Sequence, residues 1–184
     1  KNFPKSPIIF DVKSSQYALN NVRFHGGQPI IWKTGHSLIK QKMKELNVNF
    51  GGEMSGHIFF ADDFFGFDDA VYVSLRLAQL LSNSDKSLSE LVEVVPYYYS
   101  TPEIRINCLS DEDKFNITSR AIEYFNTKYE CNSIDGVRIS YPDGWALVRA
   151  SNTQPVIVCR FEATNYNDLL LIKNTVLSKL KEFG

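Results

Sequence analysis

A chain of 184 residues with 43% hydrophobic side chains is long enough for one or two small domains with real cores. Lys and Arg number 20 against 21 Asp and Glu, which gives no reason to expect a nucleic-acid or anionic-membrane partner. No apolar run reaches bilayer-spanning length and no signal peptide is visible; three distant cysteines, Cys108, Cys131 and Cys159, fit no zinc spacing and read as reduced thiols of a cytoplasmic protein.

In chain order, the apolar, β-branched run 8–12 predicts a buried strand, with Lys13 directly at its C-terminal end. Open α/β sheets place ligands at that edge. A helix is expected over 14–24, with Tyr17, Leu19 and Val22 on its buried side and Gly26-Gly27 ending it. A second strand follows at 29–32. Then comes a short loop, Lys33-Thr34-Gly35-His36, and a helix over 37–46 with Ile39, Met43 and Leu46 on one face. That loop joins a strand end to a helix start, where free backbone N–H groups favour anions.

The stretch Gly51-Gly52-Glu53-Met54-Ser55-Gly56-His57 sets an anion, a hydroxyl and an imidazole among three glycines. Glu53 accepts hydrogen bonds and Ser55 donates or accepts them, which suits the vicinal hydroxyls of a sugar. His57 can donate to a phosphate oxygen or exchange a proton near neutral pH. Taken alone the stretch could equally be a Gly-rich turn between strands. A strand at 58–61 leads out of it, and Asp68 is expected to cap a helix to about Leu81 with Val71, Leu75, Ala78 and Leu81 as its stripe. Ser87-Leu88-Ser89-Glu90 reads as a capping box for a short helix ending before Pro96.

The aromatic stretch 97–102 is the best linker candidate, a hinge or a strand edge. Beyond it Ile104, Ile106 and Cys108 alternate as a half-buried strand. Ser110 should cap a helix over 111–127 with Phe115, Thr118, Ile122 and Phe125 inward. Strands at 137–141 and 145–149 form a hairpin across Pro142-Asp143-Gly144. A long strand at 156–163 and a helix capped by Asn165, with Leu169, Ile172, Val176 and Leu180 inward, complete an α+β layer on an antiparallel sheet. Between the last strands lies Arg149-Ala150-Ser151-Asn152-Thr153-Gln154-Pro155, a guanidinium fork followed by neutral donors on a turn that can form an anion nest. A polar hairpin loop with an exposed Arg would have the same composition.

Three segments, Trp32-Lys33-Thr34-Gly35-His36-Ser37, Gly51–His57 and Arg149–Pro155, occur in an order that resembles the α-D-phosphohexomutase superfamily, most of all its phosphomannomutase/phosphoglucomutase branch. The resemblance runs over essentially the whole chain. It implies the C-terminal portion of such an enzyme. Residues 1–96 would be domain III, an α/β domain with a mixed sheet and flanking helices, incomplete at its N-terminus. Residues 97–184 would be domain IV, α+β, with a TATA-box-binding-protein-like antiparallel sheet and two helices.

The resemblance also implies roles. Lys13 of the Phe10-Asp11-Val12-Lys13 segment would face the phosphosugar, and Glu53 and Ser55 would grip sugar hydroxyls. Lys33 would line the substrate with Lys13, His36 and His57, which would screen phosphate charge. Proton transfer would fall to His36 or His57, with the choice open. Arg149, Ser151, Asn152 and Thr153 would hold the distal phosphate, whereas the role of Gln154, often Thr or Glu in relatives, stays open. Met54 and Asn152 look like the glucose/mannose branch. The phosphoserine loop and the Asp-rich Mg2+ loop would lie upstream, in N-terminal domains of the same polypeptide, and no metal site is expected here. Glucose or mannose 1,6-bisphosphate would be the intermediate. The alternative is a phosphosugar-binding module with no catalysis of its own. Neither reading involves nucleic acid or a membrane.

Overall fold

The structure, a computed structural model, describes residues 5–184. The apolar run Pro7–Asp11 forms β1, and Ser15 caps α1, Gln16–Phe24, by accepting from the Tyr17 N–H. Next come β2 (Gln28–Trp32), α2 (His36–Leu46), β3 (Phe50–Gly52), β4 (Ile58–Phe60), α3 (Ala70–Ser82) and α4 (Leu88–Glu93). The sheet order is β2-β1-β3-β4, with β1 parallel to both β2 and β3, and β4 antiparallel to β3. Ile9, Ile39, Met43, Val48 and Phe59 form the core between α2 and one sheet face. These elements belong to a unit that runs up to Tyr97.

The second unit, Tyr98–Gly184, is built differently. It contains β5 (Tyr99–Ser100), β6 (Ile104–Asn107), α5 (Asp111–Asn126), β7 (Cys131–Asn132), β8 (Val137–Tyr141), β9 (Gly144–Ala150), β10 (Val156–Ala163) and α6 (Tyr166–Phe183). Every pairing is antiparallel, in the order β5-β10-β9-β8-β7, and β6 also pairs β10. β5 and β6 lie along successive parts of β10, so one edge strand is interrupted, with Pro102 in the gap. Both helices cover one face. Ala121, Phe125, Leu169, Ile172, Val176 and Leu180 meet Val137, Ile139, Ala146, Val148, Ile157, Cys159, Phe161 and Ala163 there. By alternation the other face carries Arg138, Trp145, Leu147 and Arg149. On it the Arg138 guanidinium lies 3.7 Å from the Trp145 ring centroid, and the Trp145 indole N–H donates to Glu162 at 2.9 Å.

The expected fold class holds: a mixed-sheet α/β domain precedes an antiparallel α+β domain. Several details differ. Asp69, not Asp68, caps α3 by accepting from the Tyr72 N–H. Three of the four residues of the expected stripe of α3, Val71, Leu75 and Ala78, face outward, with Leu75 63% exposed. That helix is apolar around most of its circumference, so periodicity does not select a face. Tyr72 and Arg76 turn toward Phe60 instead. Leu46 is exposed because α2 ends in left-handed Asn47 and Val48 fills the core place behind it. Phe115 is exposed while its neighbour Lys114 is buried. Ahead of α3, Phe64 stacks on Tyr72 at 3.9 Å, whereas Phe65 and Phe67 are exposed. A pivot at 100–102 would break the pairing of Ser100 with Glu162 and the bond from the Thr101 N–H to the Phe161 carbonyl.

Candidate functional site

Parallel strands present their C-terminal ends along one edge, and the loops after β1, β2 and β3 therefore emerge together. The strand order reverses at β1, which has β2 on one side and β3 on the other. Ligands of open α/β sheets bind at such a reversal. The last residue of β1, Asp11, is fully buried. Its Oδ1 accepts from the Ser14 hydroxyl at 2.6 Å and from the Met54 N–H at 3.2 Å, and its Oδ2 accepts from the Thr34 hydroxyl at a long 3.5 Å. One carboxylate thus ties together all three loops.

The 53–57 loop closes on itself through bonds from the Glu53 N–H to the His57 carbonyl and from the Gly56 N–H to the Glu53 carbonyl. Gly56, at φ +94°, makes the turn that a side-chain-bearing residue rarely adopts. The Glu53 carboxylate reaches across to α2: Oε1 accepts from the Gly35 N–H at 3.0 Å, while Oε2 accepts from the Ser55 hydroxyl at 3.1 Å. Gly35 is the N-cap of α2 and has no side chain to cap with, so Glu53 supplies the missing anion at the helix's positive end. Each carboxylate oxygen keeps a further lone pair for a sugar hydroxyl.

His36, the first residue of α2, is exposed, and its ring lies 6.0 Å from that of His57. The His57 Nδ1 sits 2.7 Å from Asp68 Oδ2. This pairing makes Nδ1 the donor and turns the Nε2 side of the ring to incoming groups. Lys13 is buried just beyond β1, Lys33 is exposed just beyond β2, and Ser55 is exposed at the loop tip. Of the residues singled out in this half, Lys13, Lys33, Glu53, Ser55 and His57 lie in loops at the same sheet edge, and His36 opens the helix that starts there.

The 151–155 loop joins β9 to β10. Asn152 and Thr153 are exposed, and the buried Ser151 accepts from the Thr153 N–H at 3.3 Å. Arg149 is not the exposed side chain that a plain polar hairpin loop would carry. It is 6% exposed, and its Nε donates to Asp135 Oδ2 at 3.0 Å. Its Nη2 is buried with no hydrogen-bond partner. Gln154 holds the loop down: its carbonyl accepts from the buried Lys114 Nζ at 3.0 Å, and its side-chain oxygen accepts from Arg105 Nη1 at 2.7 Å.

Asp11, Asp68, Lys114 and Asp135 are polar residues that sequence reasoning missed. Each acts through a partner distant in sequence, except Asp68, whose position before α3 made it look like a cap. Elsewhere burial pushes the Cys159 thiol up to about 12 and also raises Cys108 and Cys131. Among the described residues no group of three or more His, Cys, Asp or Glu side chains could hold a metal ion. The magnesium implied by the resemblance therefore finds no ligand set in them. Nor is any described helix long and apolar enough to cross a membrane.

An open sheet with a carboxylate loop at the ends of its parallel strands is followed by an antiparallel sheet with an arginine loop between two of its strands. The chain belongs to the phosphoglucomutase/phosphomannomutase family of the α-D-phosphohexomutase superfamily. Residues 1–98 match the family's alpha/beta/alpha domain III and residues 103–179 its C-terminal domain. A phosphomannomutase/phosphoglucomutase of Pseudomonas syringae is 45% identical over 99% of this chain, which is 39% of that protein's length. A crystal structure of a phosphoglucomutase/phosphomannomutase family protein from Burkholderia thailandensis matches with a TM-score of 0.88 and 39% identity, over 97% of this chain and 38% of that one. The N-acetylphosphoglucosamine mutase of Aspergillus fumigatus, solved with GlcNAc-6P and magnesium, matches in fold with a TM-score of 0.70 at 13% identity, over 98% of this chain and 39% of that one. The chain thus spans well under half the length of these relatives.

Proposed function

We propose that this chain is the sugar- and phosphate-binding part of a phosphohexomutase that interconverts hexose 1-phosphate and hexose 6-phosphate. The observation that carries this is the joining of three strand-end loops through Asp11, with Glu53 and Ser55 on the loop after β3. Glu53 and Ser55 take ring hydroxyls. Lys13, Lys33 and His36 offset phosphate charge, and His57, oriented by Asp68, exchanges the proton of the attacking or leaving hydroxyl. Arg149, Ser151, Asn152 and Thr153 bind the phosphate away from the reaction. Phosphoryl transfer depends mainly on positioning and charge stabilisation, which is the work these residues can do.

The nucleophile and metal belong elsewhere on this reading. A phosphoserine in preceding domains of the same polypeptide would donate the phosphoryl group, Mg2+ held in those domains would offset phosphate charge, and a hexose 1,6-bisphosphate would form and turn end for end. Ring-hydroxyl contacts tolerate that exchange, because they lie between the two phosphates. The magnesium complex of the Aspergillus fumigatus mutase supports the metal assignment. Met54 and Asn152 favour glucose or mannose as the hexose.

The 184-residue chain is expected to bind glucose 1-phosphate in titration calorimetry and to show no conversion to the 6-phosphate in a coupled assay. The full-length enzyme is expected to do both. Conversion by the chain alone would overturn the division of labour. Failure of the chain and the full-length enzyme alike to bind would overturn the site, while binding without turnover by the full-length protein would make it a phosphosugar-binding module.

A further inference from the structure

We propose that Asp135 is the positioning residue of the Arg149 anion clamp, and that Gly136 is the space that lets it reach. The proposal rests on the reading of the 149–153 loop as a phosphate site. An arginine side chain is long and rich in rotamers, and a phosphate site gains from having that freedom removed before the ligand arrives. Arg149 is restrained in this way. Asp135 lies between β7 and β8, and its Oδ2 takes the Arg149 Nε at 3.0 Å, with both side chains largely buried.

The contact engages one carboxylate oxygen and one of the five guanidinium N–H donors. It fixes the base of the fork and leaves the terminal nitrogens to other acceptors. Nη2 has none in the structure. A buried guanidinium N–H without an acceptor is unfavourable, and a phosphate oxygen is the acceptor whose geometry suits it. Hence the carboxylate positions the clamp without filling it.

The backbone is shaped to allow this. Gly136 has φ +75°, and a Cβ there would lie 2.2 Å from the Val148 carbonyl oxygen and 2.6 Å from both Cα and Cβ of Arg149. The turn therefore runs against the Arg149 backbone itself, and any side chain at 136 would push Asp135 away. The same turn is pinned from behind. The Ile134 N–H donates to the Asn132 side chain at 3.0 Å, and Asn126 Nδ2 of α5 donates to the Ser133 hydroxyl at 3.2 Å. A carboxylate on so constrained a turn can define the position of a guanidinium, whereas one on a loose loop would follow it.

The test uses the 184-residue chain with glucose 1-phosphate and inorganic phosphate as probes, by calorimetry, and follows the Arg149 Nε–H resonance by NMR. Asp135→Asn is expected to weaken both probes by roughly threefold to thirtyfold. It should also make the Nε–H resonance exchange rapidly with solvent. Asp135→Glu should restore the resonance and part of the affinity. In an Arg149→Ala background, Asp135→Asn should cause no further loss, because it acts only through that side chain. Parent affinity in Asp135→Asn, or an equal loss in both backgrounds, overturns the proposal. If Asp135→Asn does not fold, Asp135→Ser decides: a loss that vanishes in the Arg149→Ala background supports it, and parent affinity overturns it. Parent affinity in Arg149→Ala itself would instead mean that the loop is not a phosphate site.

Discussion

Two carboxylates set the character of the sheet edge, and they differ in what they can spare. Asp11 is enclosed, and its acceptors are taken up by Ser14, Met54 and Thr34. It is a structural anchor. Asp11→Ala leaves buried donors without an acceptor, at a cost of about 2–4 kcal/mol of stability, to be read in urea unfolding. Glu53 is only half-buried and does two things. It caps α2 through Gly35 and keeps lone pairs for a ligand. Glu53→Gln cannot accept from both Gly35 and Ser55, because the amide nitrogen only donates. A loss of about 1 kcal/mol in stability is expected, together with a tenfold to hundredfold loss in glucose 1-phosphate affinity, about 1.5–3 kcal/mol. A lowered melting temperature with unchanged affinity would leave Glu53 a helix cap and nothing more.

Among the elements, α3 is seated by a polar pair as well as by the Tyr72 ring against Phe60 and Phe64. Arg76 Nη1 and Nη2 donate to Asp62 Oδ1 and Oδ2 at 3.1 and 3.0 Å, fork to fork, with the guanidinium 4.4 Å from the Phe60 ring centroid. Burial pushes the Asp62 carboxyl up, but hydrogen bonds from Arg76 and the backbone, with the Arg76 charge, outweigh it and leave it below its ordinary 3.8. A carboxyl lowered by folding contributes stability above its unfolded pKa, and that contribution is lost as pH falls through the folded value. Asp62→Asn should therefore lower stability by about 1 kcal/mol at pH 7, and the gap from the parent should close in thermal melts as pH falls below the ordinary 3.8. The sequence carried no sign of this pair, because its partners belong to separate elements and neither is part of a helical repeat. What was legible was local: the Ser87–Glu90 capping box, the Asn165 cap and the inward stripe of α6 all stand as expected. Periodicity failed where a helix is apolar all round, as in α3. It failed again where a lysine is drawn inward by a carbonyl from another loop, as Lys114 is by Gln154. The site followed the same division. Glu53, Ser55 and His57 could be named from one short stretch, whereas Asp11 and Asp135 gain meaning only from the residues that the fold brings to them.

At the scale of the molecule, two units of different construction share one chain, and each carries one half of the proposed chemistry. The parallel-centred sheet offers loops at strand ends, and the antiparallel sheet offers a loop between its two longest strands, β9 and β10. An open antiparallel sheet also has two borders, and exposed borders invite other chains to add a strand. Here both are blunted. β7 at one side has two residues. At the other side the border is broken into β5 and β6, with Pro102, which has no N–H to offer, in the gap. Neither border presents a ladder long enough to template a neighbour. The second unit is therefore built to resist strand-to-strand aggregation at high concentration, so a tendency to clump would trace instead to the outward apolar side of α3.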